Sequence, residues 1–150
     1  MPQDVAPGAA TLVMQPPHSP ALSQPVTIRL SAPGIYSDIG YATDNQGNLL
    51  PLVTCPKQGG CYATPLPLSS TPGGLDVVLY GTGLRAASGQ VTMRIGTHTL
   101  RPVEIHPHAG IAGVDDLRFH LPQDFPLRLF QAISAETPDG SSNHLWIYLD

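Results

Sequence analysis

Proline and glycine occur along the whole chain and constrain its fold more than any other feature. The 150 residues include 17 prolines and 15 glycines. An interior proline costs a helix about 3 kcal/mol, because it lacks the backbone N–H and its ring collides with the preceding turn. Long helices are therefore excluded, and the sequence predicts an all-β fold of short strands joined by turns. With 41% hydrophobic residues, a chain of this length can bury a sizeable core.

Short apolar segments bounded by turn residues mark the predicted strands. In the C-terminal half these segments are residues 75–80, 91–95, 100–105, 114–120 and 145–149. Several strands of this length at short intervals are typical of a two-sheet sandwich. We therefore predict that residues 73–150 form an immunoglobulin-like β-sandwich core with proline- and glycine-rich loops. Residues 32–72 are richer in turn residues, and we predict that they form a loop-rich connecting segment.

The two ends of the chain share a short sequence pattern. Met-Pro-Gln-Asp at residues 1–4 reappears as Leu-Pro-Gln-Asp at residues 121–124, and two apolar segments separated by a polar turn follow each copy. We therefore predict that residues 1–31 are the terminal β-hairpin of a preceding immunoglobulin-like repeat. A two-stranded hairpin is marginally stable in water. We expect its strands to pair with neighbouring repeats or with other copies of the chain.

The charge distribution excludes two classes of partner. Only 12% of the residues are charged, the formal net charge is −4, and Lys and Arg form no cluster. Nucleic acids are bound through clustered Lys and Arg that contact phosphates, so we expect no nucleic-acid partner. No apolar run approaches the roughly 18 residues of a membrane-spanning helix, so we expect no membrane insertion.

Two cysteines point to an oxidising compartment. Cys55 and Cys61 are separated by Pro-Lys-Gln-Gly-Gly, a turn-forming spacer that would bring two extended flanks to bridging distance. We predict a disulfide hairpin, with two free thiols as the alternative. A disulfide favours an extracellular or cell-surface location. The first residues have neither the basic nor the apolar segment of a signal peptide, so either the chain is cytosolic or its natural beginning lies upstream. The repeated motif favours the second interpretation, and we expect an export leader upstream of this sequence.

Three further segments share a pattern with a known family. They are Ala-Pro-Gly-Ile-Tyr-Ser at residues 32–37, Leu-Asp-Val-Val-Leu-Tyr-Gly-Thr-Gly-Leu-Arg at residues 75–85, and Gly-Val-Asp-Asp-Leu-Arg-Phe-His-Leu-Pro at residues 113–122. In this order they resemble the C-terminal immunoglobulin-like domain family of large secreted acidobacterial proteins, the Solibacter-type C-terminal domain. The resemblance extends over nearly the whole chain. It implies an immunoglobulin-like sandwich in an exported protein, with no characterised enzymatic role.

The chain departs from that family where histidines and an additional carboxylate accumulate. His106 and His108 follow one predicted strand, Asp115 and Asp116 begin the next, and His120 ends it. Imidazole and carboxylate are ligands of Zn²⁺ and Cu²⁺. These five residues are therefore the candidate metal site. The alternative is that the histidines are solvated loop residues. Asp115 and Asp116 are also a candidate carboxylate pair for acid–base catalysis, but adjacent strand residues point to opposite faces, so we expect them to form loop-end hydrogen bonds or to cap a turn.

The last predicted strand carries a candidate stacking surface. Trp146 and Tyr148 are two residues apart and share one face of the strand. The opposite face holds the aliphatic residues Leu145, Ile147 and Leu149. We predict that the aliphatic face joins the core, which leaves Trp146 and Tyr148 outward or packed against the N-terminal hairpin. Aromatic rings on an outer face can stack on a glycan. Further aromatic candidates are Tyr36, Tyr41, Tyr62 and Tyr80.

Taken together, these features favour a non-catalytic extracellular module for adhesion, spacing or assembly within a larger exported protein. Gly81-Thr82-Gly83 lacks the remaining residues of a phosphate loop, and no Gly-x-Ser-x-Gly nucleophile motif is present. We therefore predict no catalytic residues and no cofactor. One alternative is a carbohydrate or small-ligand binding module. The other is a histidine-based metal-binding protein, or a hydrolase that uses the bound metal.

Overall fold

The structure, a computed structural model, describes residues 6–150. Within these residues it consists of strands and one 3₁₀ helix, so the all-β prediction is confirmed. The Met-Pro-Gln-Asp motif at residues 1–4 lies outside the described residues. The chain divides into two units, of which the first ends at Leu30 and the second comprises Ser31–Asp150. No helix in the described part has the length and apolarity needed to cross a bilayer.

The elements are numbered in chain order. They are β1 (Gly8–Met14), β2 (Leu22–Ile28), β3 (Gly34–Thr43), β4 (Leu49–Pro51), β5 (Val53–Thr54), β6 (Tyr62–Ala63), β7 (Pro65–Leu66), β8 (Leu75–Thr82), the 3₁₀ helix (Arg85–Gln90), β9 (Thr92–Ile95), β10 (His98–Leu100), β11 (Glu104–Pro107), β12 (Asp115–Leu121), β13 (Leu129–Thr137), β14 (Gly140–Ser141) and β15 (Leu145–Leu149).

The first unit contains the hairpin predicted for the N-terminal segment. β1 and β2 are antiparallel, in a register that runs from the pair Gly8 and Ile28 to the pair Met14 and Leu22. The loop between the strands is held by a hydrogen bond from Nε2 of Gln15 to the backbone oxygen of Ser19 (3.1 Å). The two strands form a sheet of their own. That this ribbon ends a preceding repeat stays a prediction.

The second unit contains two larger antiparallel sheets. One has five strands in the order β11-β12-β8-β3-β4. The other has six strands, with the order β10-β9-β13-β15-β7 and β14 beside β13. Within this second sheet β7 is parallel to β15, and the other pairs are antiparallel.

Residues 32–72 contribute strands to both of these sheets. β3 pairs with the central strand β8, and β7 pairs with the last strand β15. The segment is therefore an integral part of the second unit rather than a connection before it. The predicted disulfide between Cys55 and Cys61 is confirmed, and it closes the small hairpin of β5 and β6.

The segment predicted as one strand at residues 100–105 is divided between the two sheets. β10 ends at Leu100 in the six-stranded sheet, and β11 begins at Glu104 in the five-stranded sheet. Pro102 lies between them and has no N–H to donate to a ladder. The prediction of a single strand is wrong because the chain crosses from one sheet to the other at this point.

Side-chain alternation builds one core between the two sheets. Along β8 the residues Leu75, Val77 and Leu79 are at most 1% exposed, and the residues between them are partly exposed. β12 alternates in the same way, and so does β15. The inward residues of all three strands belong to one hydrophobic cluster. Two sheets that share one core constitute a β-sandwich.

Truncation of a core leucine tests this assignment. Leu79 is 1% exposed in the central strand β8, so Leu79→Ala should lower the free energy of unfolding by about 2–5 kcal/mol through lost contacts and a residual cavity. Leu49→Ala provides the matched control, because Leu49 is 68% exposed and should change stability by at most about 0.5 kcal/mol. Urea unfolding followed by circular dichroism measures both, and equal effects would contradict the core described above.

Candidate functional site

The five residues of the predicted metal site do not converge in the structure. Along β12, Asp115 points into the core, whereas Asp116 and His120 lie on the outer face, because neighbouring strand residues alternate. Each of these three also has its own protein partner. Among residues 6–150, no group of three or more His, Cys, Asp or Glu is arranged to hold a metal ion. The predicted metal centre is therefore not formed by these residues.

Asp115 fixes the turn that follows β8. It is 1% exposed, and its Oδ2 accepts hydrogen bonds from the backbone N–H of Leu84 (2.9 Å) and of Arg85 (3.3 Å). Its Oδ1 forms an ion pair with Nε of Arg85. These contacts hold the chain at the start of the 3₁₀ helix, so Asp115 has the turn-capping role that the sequence offered as the alternative to an acid–base carboxylate pair.

Asp76 organises one end of the outer face of the five-stranded sheet. It accepts hydrogen bonds from Arg118 (2.6 Å) and is paired with Nδ1 of His120 (2.9 Å), both across the β8–β12 pair. The hydrogen bond from Arg118 is the main cause that lowers the pKa of Asp76 below its ordinary value, and His120 contributes in the same direction against partial burial. His120 is thus part of a surface ion-pair network. It pairs with Asp76 at one end of β12, whereas His106 is opposite Asp116 near the other end of that strand.

At the other end of the same face, His108 pairs with Asp116. Their Nδ1 and Oδ1 atoms are 2.8 Å apart, and the imidazole meets the ring of Tyr80 edge-on with the centroids 5.2 Å apart. Tyr41 stands beside Tyr80 at 6.4 Å. Burial raises the pKa of the Tyr80 hydroxyl, and Tyr41 and Asp116 raise it further, so this hydroxyl remains neutral. His106 lies opposite Asp116 in the ladder but is exposed.

A pocket of about 230 Å³ opens beside this pair. Its lining consists of Tyr36, Ile39, Tyr80, His108, Ile111 and Val114. Two irregular segments form its walls. One is β3, whose register against β8 shifts between Ile35 and Gly40, and the other is the loop that joins β11 to β12. The pocket therefore forms where the regular ladder is interrupted on both sides of Tyr80.

Two residues that sequence reasoning did not single out hold the irregular part of β3 in place. Asn143 accepts a hydrogen bond from the N–H of Ile35 (2.9 Å) and donates one to its carbonyl oxygen (2.7 Å). At Gly40, where φ is +155°, a Cβ would lie 2.9 Å from Cδ1 of Leu52 and 3.1 Å from the backbone oxygen of Val78. Neither role has a signature in the sequence, since both depend on segments distant along the chain.

The outer face of the six-stranded sheet carries an aromatic patch. Trp146 is 58% exposed and Tyr148 is half-buried, whereas the alternating aliphatic residues of β15 are in the core, as predicted. Phe130 is directly opposite Tyr148 in the ladder, is 60% exposed, and meets its ring edge-on at 5.0 Å. Sequence reasoning missed Phe130. Its position opposite Tyr148 follows from the register of β13 and β15, which no local pattern reveals.

Acidification tests the network at Asp76. Because its pKa is lowered in the folded state, its contribution to stability is present above the ordinary value of 3.8 and is lost as the pH falls through the folded-state value. Asp76→Asn should therefore lose less stability than the wild type on acidification below this value, measured by urea unfolding. Arg118→Leu removes the main partner of Asp76 and should also reduce the stability lost on acidification. The double variant that carries both substitutions should differ little from Asp76→Asn alone. If Asp76→Asn loses as much stability on acidification as the wild type does, Asp76 does not have the stabilising role described here.

Comparison with known proteins identifies no relative. No protein-family model and no curated protein matches the sequence, and no solved structure matches the fold. The similarity to the secreted acidobacterial domain family is therefore a resemblance in short motifs.

Proposed function

We propose that this chain is a non-catalytic, extracellular β-sandwich module of the immunoglobulin-like type that assembles with other copies of itself. The observation that carries the proposal is the state of the β1–β2 ribbon. Four of its large apolar residues are more than half exposed: Leu12 (53%), Val13 (59%), Met14 (56%) and Leu22 (59%). Exposed apolar surface of this density on a single element is characteristic of an interaction site.

The edges of the ribbon favour addition of another strand. Neither β1 (GAATLVM) nor β2 (LSQPVTI) contains a charged residue, although charged side chains are a common protection of open strand edges. Proline within a sheet places its nitrogen toward an open edge, so Pro25 interrupts the outer edge of β2. β1 contains no proline and keeps every backbone donor. Its edge is therefore the better template for a new strand.

A second copy of the chain is the occupant that fits this edge. Antiparallel pairing of β1 with β1 of another copy places the same residues on both sides of a two-fold axis and makes a closed dimer. The result is a four-stranded sheet, which reaches the size that an isolated two-stranded ribbon lacks. The low charge of the chain, with 7 Lys and Arg and 11 Asp and Glu, offers little repulsion to oppose it.

The location outside the cell is supported by the disulfide between Cys55 and Cys61. Disulfides persist in oxidising compartments, and a secreted module gains stability from closing a loop in this way. The resemblance to a domain family of large secreted proteins points in the same direction. Spacing, adhesion and assembly are functions that a sandwich with an exposed pairing edge can perform without a catalytic centre.

A charge placed on the β1 edge tests the assembly. The wild-type chain of 15.9 kDa should form a species of twice that mass as its concentration is raised. Val13→Lys should remain a monomer, because a lysine on an edge strand disfavours the addition of a further strand. Leu49→Lys is the matched control, since Leu49 is also a highly exposed apolar residue of a short edge strand. Analytical ultracentrifugation distinguishes these species.

Two results would refute the proposed assembly. One is a wild-type chain that remains monomeric at every concentration reached. The other is a dimer that Leu49→Lys dissociates as readily as Val13→Lys does. Circular dichroism spectra of the variants serve to show that each retains its strands.

The aromatic patch of Phe130, Trp146 and Tyr148 supports a second candidate function, the binding of a carbohydrate. Exposed rings side by side on a rigid strand pair can stack on the apolar faces of successive sugar rings. Trp146 is the single tryptophan of the chain, so its fluorescence reports on this surface directly.

Tryptophan fluorescence during titration with a panel of neutral oligosaccharides tests this second candidate. We expect a saturable change that Tyr148→Ala weakens by about tenfold, the loss that corresponds to one aromatic stacking contact. Tyr62→Ala is the control, because Tyr62 is 55% exposed in the disulfide hairpin and outside the patch. No response to any oligosaccharide would remove this function.

A further inference from the structure

The pocket beside Tyr80 has the size of a single six-membered ring. Its volume is about 230 Å³, whereas an engineered protein cavity of about 150 Å³ is sufficient to bind benzene. The opening faces solvent on the outer side of the five-stranded sheet, so a ligand can enter without displacing core residues. The pocket belongs entirely to the second unit and is independent of the β1 edge.

The lining of this pocket is predominantly apolar. Ile39 is 44% exposed and Ile111 is 55% exposed, and Val114 closes the inner side at 4%. Water against these aliphatic surfaces is released when a flat apolar group replaces it, which favours binding. The rings of Tyr36 and Tyr80 supply the aromatic surfaces against which such a group can pack in offset or edge-on geometry.

One fixed hydrogen-bond acceptor lies at the edge of the pocket. An ionised carboxylate only accepts hydrogen bonds, so in the neutral form of the imidazole the contact of 2.8 Å between Asp116 and His108 places the ring proton on Nδ1. Nε2 is then an unprotonated acceptor. No hydrogen bond within residues 6–150 occupies it, and it lies 3.9 Å from the position that a Cβ on Gly110 would take.

We infer that this pocket binds a phenolic ring, whose hydroxyl donates a hydrogen bond to Nε2 of His108. The ring occupies the apolar space between Tyr36, Tyr80 and the two isoleucines. A sugar fits the pocket less well, because its many hydroxyls would meet mostly carbon and would lose hydrogen bonds to water. An anion is also disfavoured, since no Lys or Arg lines the pocket and Asp116 lies behind the imidazole.

The site is organised before the ligand arrives. Asp116 and the edge of Tyr80 hold the imidazole, and the hydrogen bonds from Asn143 hold the start of the irregular segment of β3. A site held in this way does not have to order itself on binding, so more of the interaction free energy contributes to affinity.

Two probes that differ by one methyl group on the phenolic oxygen test the acceptor in the wild-type chain. p-Cresol has the hydroxyl donor, and 4-methylanisole replaces that hydrogen by a methyl group. Titration followed by ¹H–¹⁵N correlation spectra should show p-cresol binding with a dissociation constant on the order of 1 mM. 4-Methylanisole should bind about three- to tenfold more weakly, as expected for the loss of one hydrogen bond. The amide shifts should concentrate at residues 36–39, 80 and 108–114.

His108→Phe keeps a ring of similar size and removes the acceptor. In this variant p-cresol and 4-methylanisole should bind equally, and His106→Phe should leave the discrimination unchanged because His106 lies outside the pocket lining. N-Acetyltyrosinamide distinguishes the source of the ring. Binding tighter than that of p-cresol indicates a tyrosine side chain of a polypeptide, and weaker binding indicates a small free phenol.

Three outcomes with the wild-type chain would overturn the inference. They are the absence of p-cresol binding at millimolar concentration, equal affinity of the wild type for the two probes, and amide shifts centred on the Trp146 face. Loss of discrimination in His106→Phe to the same extent as in His108→Phe would overturn it as well. The comparison of probes on the wild type does not depend on the folding of any variant.

Discussion

Burial of one face of β8 and β12 between the two sheets is the constraint on which the rest of the structure depends. Leu79 and Leu117, directly paired in the ladder, are each 1% exposed, and this inward packing fixes both the register and the tilt of each strand. Once the inward residues are placed, alternation along the strand also fixes which residues face outward. Asp76, Tyr80 and Asp116 reach the outer face because they occupy alternate positions, and the surface chemistry of this sheet is a consequence of its core.

The pocket beside Tyr80 lies where regular strand pairing stops. β3 loses its register between Ile35 and Gly40, and the chain leaves the sheet again after Pro107, so two irregular segments rise on either side of Tyr80. A continuous ladder would leave a flat surface at this point. On the inner side of the sheet, Asp115 accepts hydrogen bonds from the backbone N–H groups of the turn after β8 and so stabilises that turn. Irregular backbone is thus held by specific hydrogen bonds and carries the pocket.

The ribbon of residues 6–30 differs from the sandwich in the balance between burial and exposure. Its two strands satisfy each other's backbone groups on one side only, and Leu12 and Val13 remain more than half exposed. A two-stranded element gains little from burial, which makes pairing with further β-structure favourable. Together with the sparse charge of the chain, this exposed ribbon is the basis of the assembly proposed above.

The sequence by itself determined the strand-rich character of this protein, the core face of its last strand and its disulfide. Proline and glycine excluded long helices, period-two alternation identified Leu145, Ile147 and Leu149 as core residues, and the spacing of Cys55 and Cys61 predicted the disulfide. These properties are local, because side-chain alternation and turn formation depend on residues within a few positions of one another.

Only the tertiary structure decided which of these elements became neighbours. It paired His120 with Asp76 and His108 with Asp116, and so divided the imidazoles that the sequence had grouped into one metal site. It also placed Phe130 opposite Tyr148 and crossed the chain between sheets at Pro102. The physical reason is that strand order and register are set by packing the whole core at once, and an outward side chain leaves no trace of its partner in the pattern of its own strand.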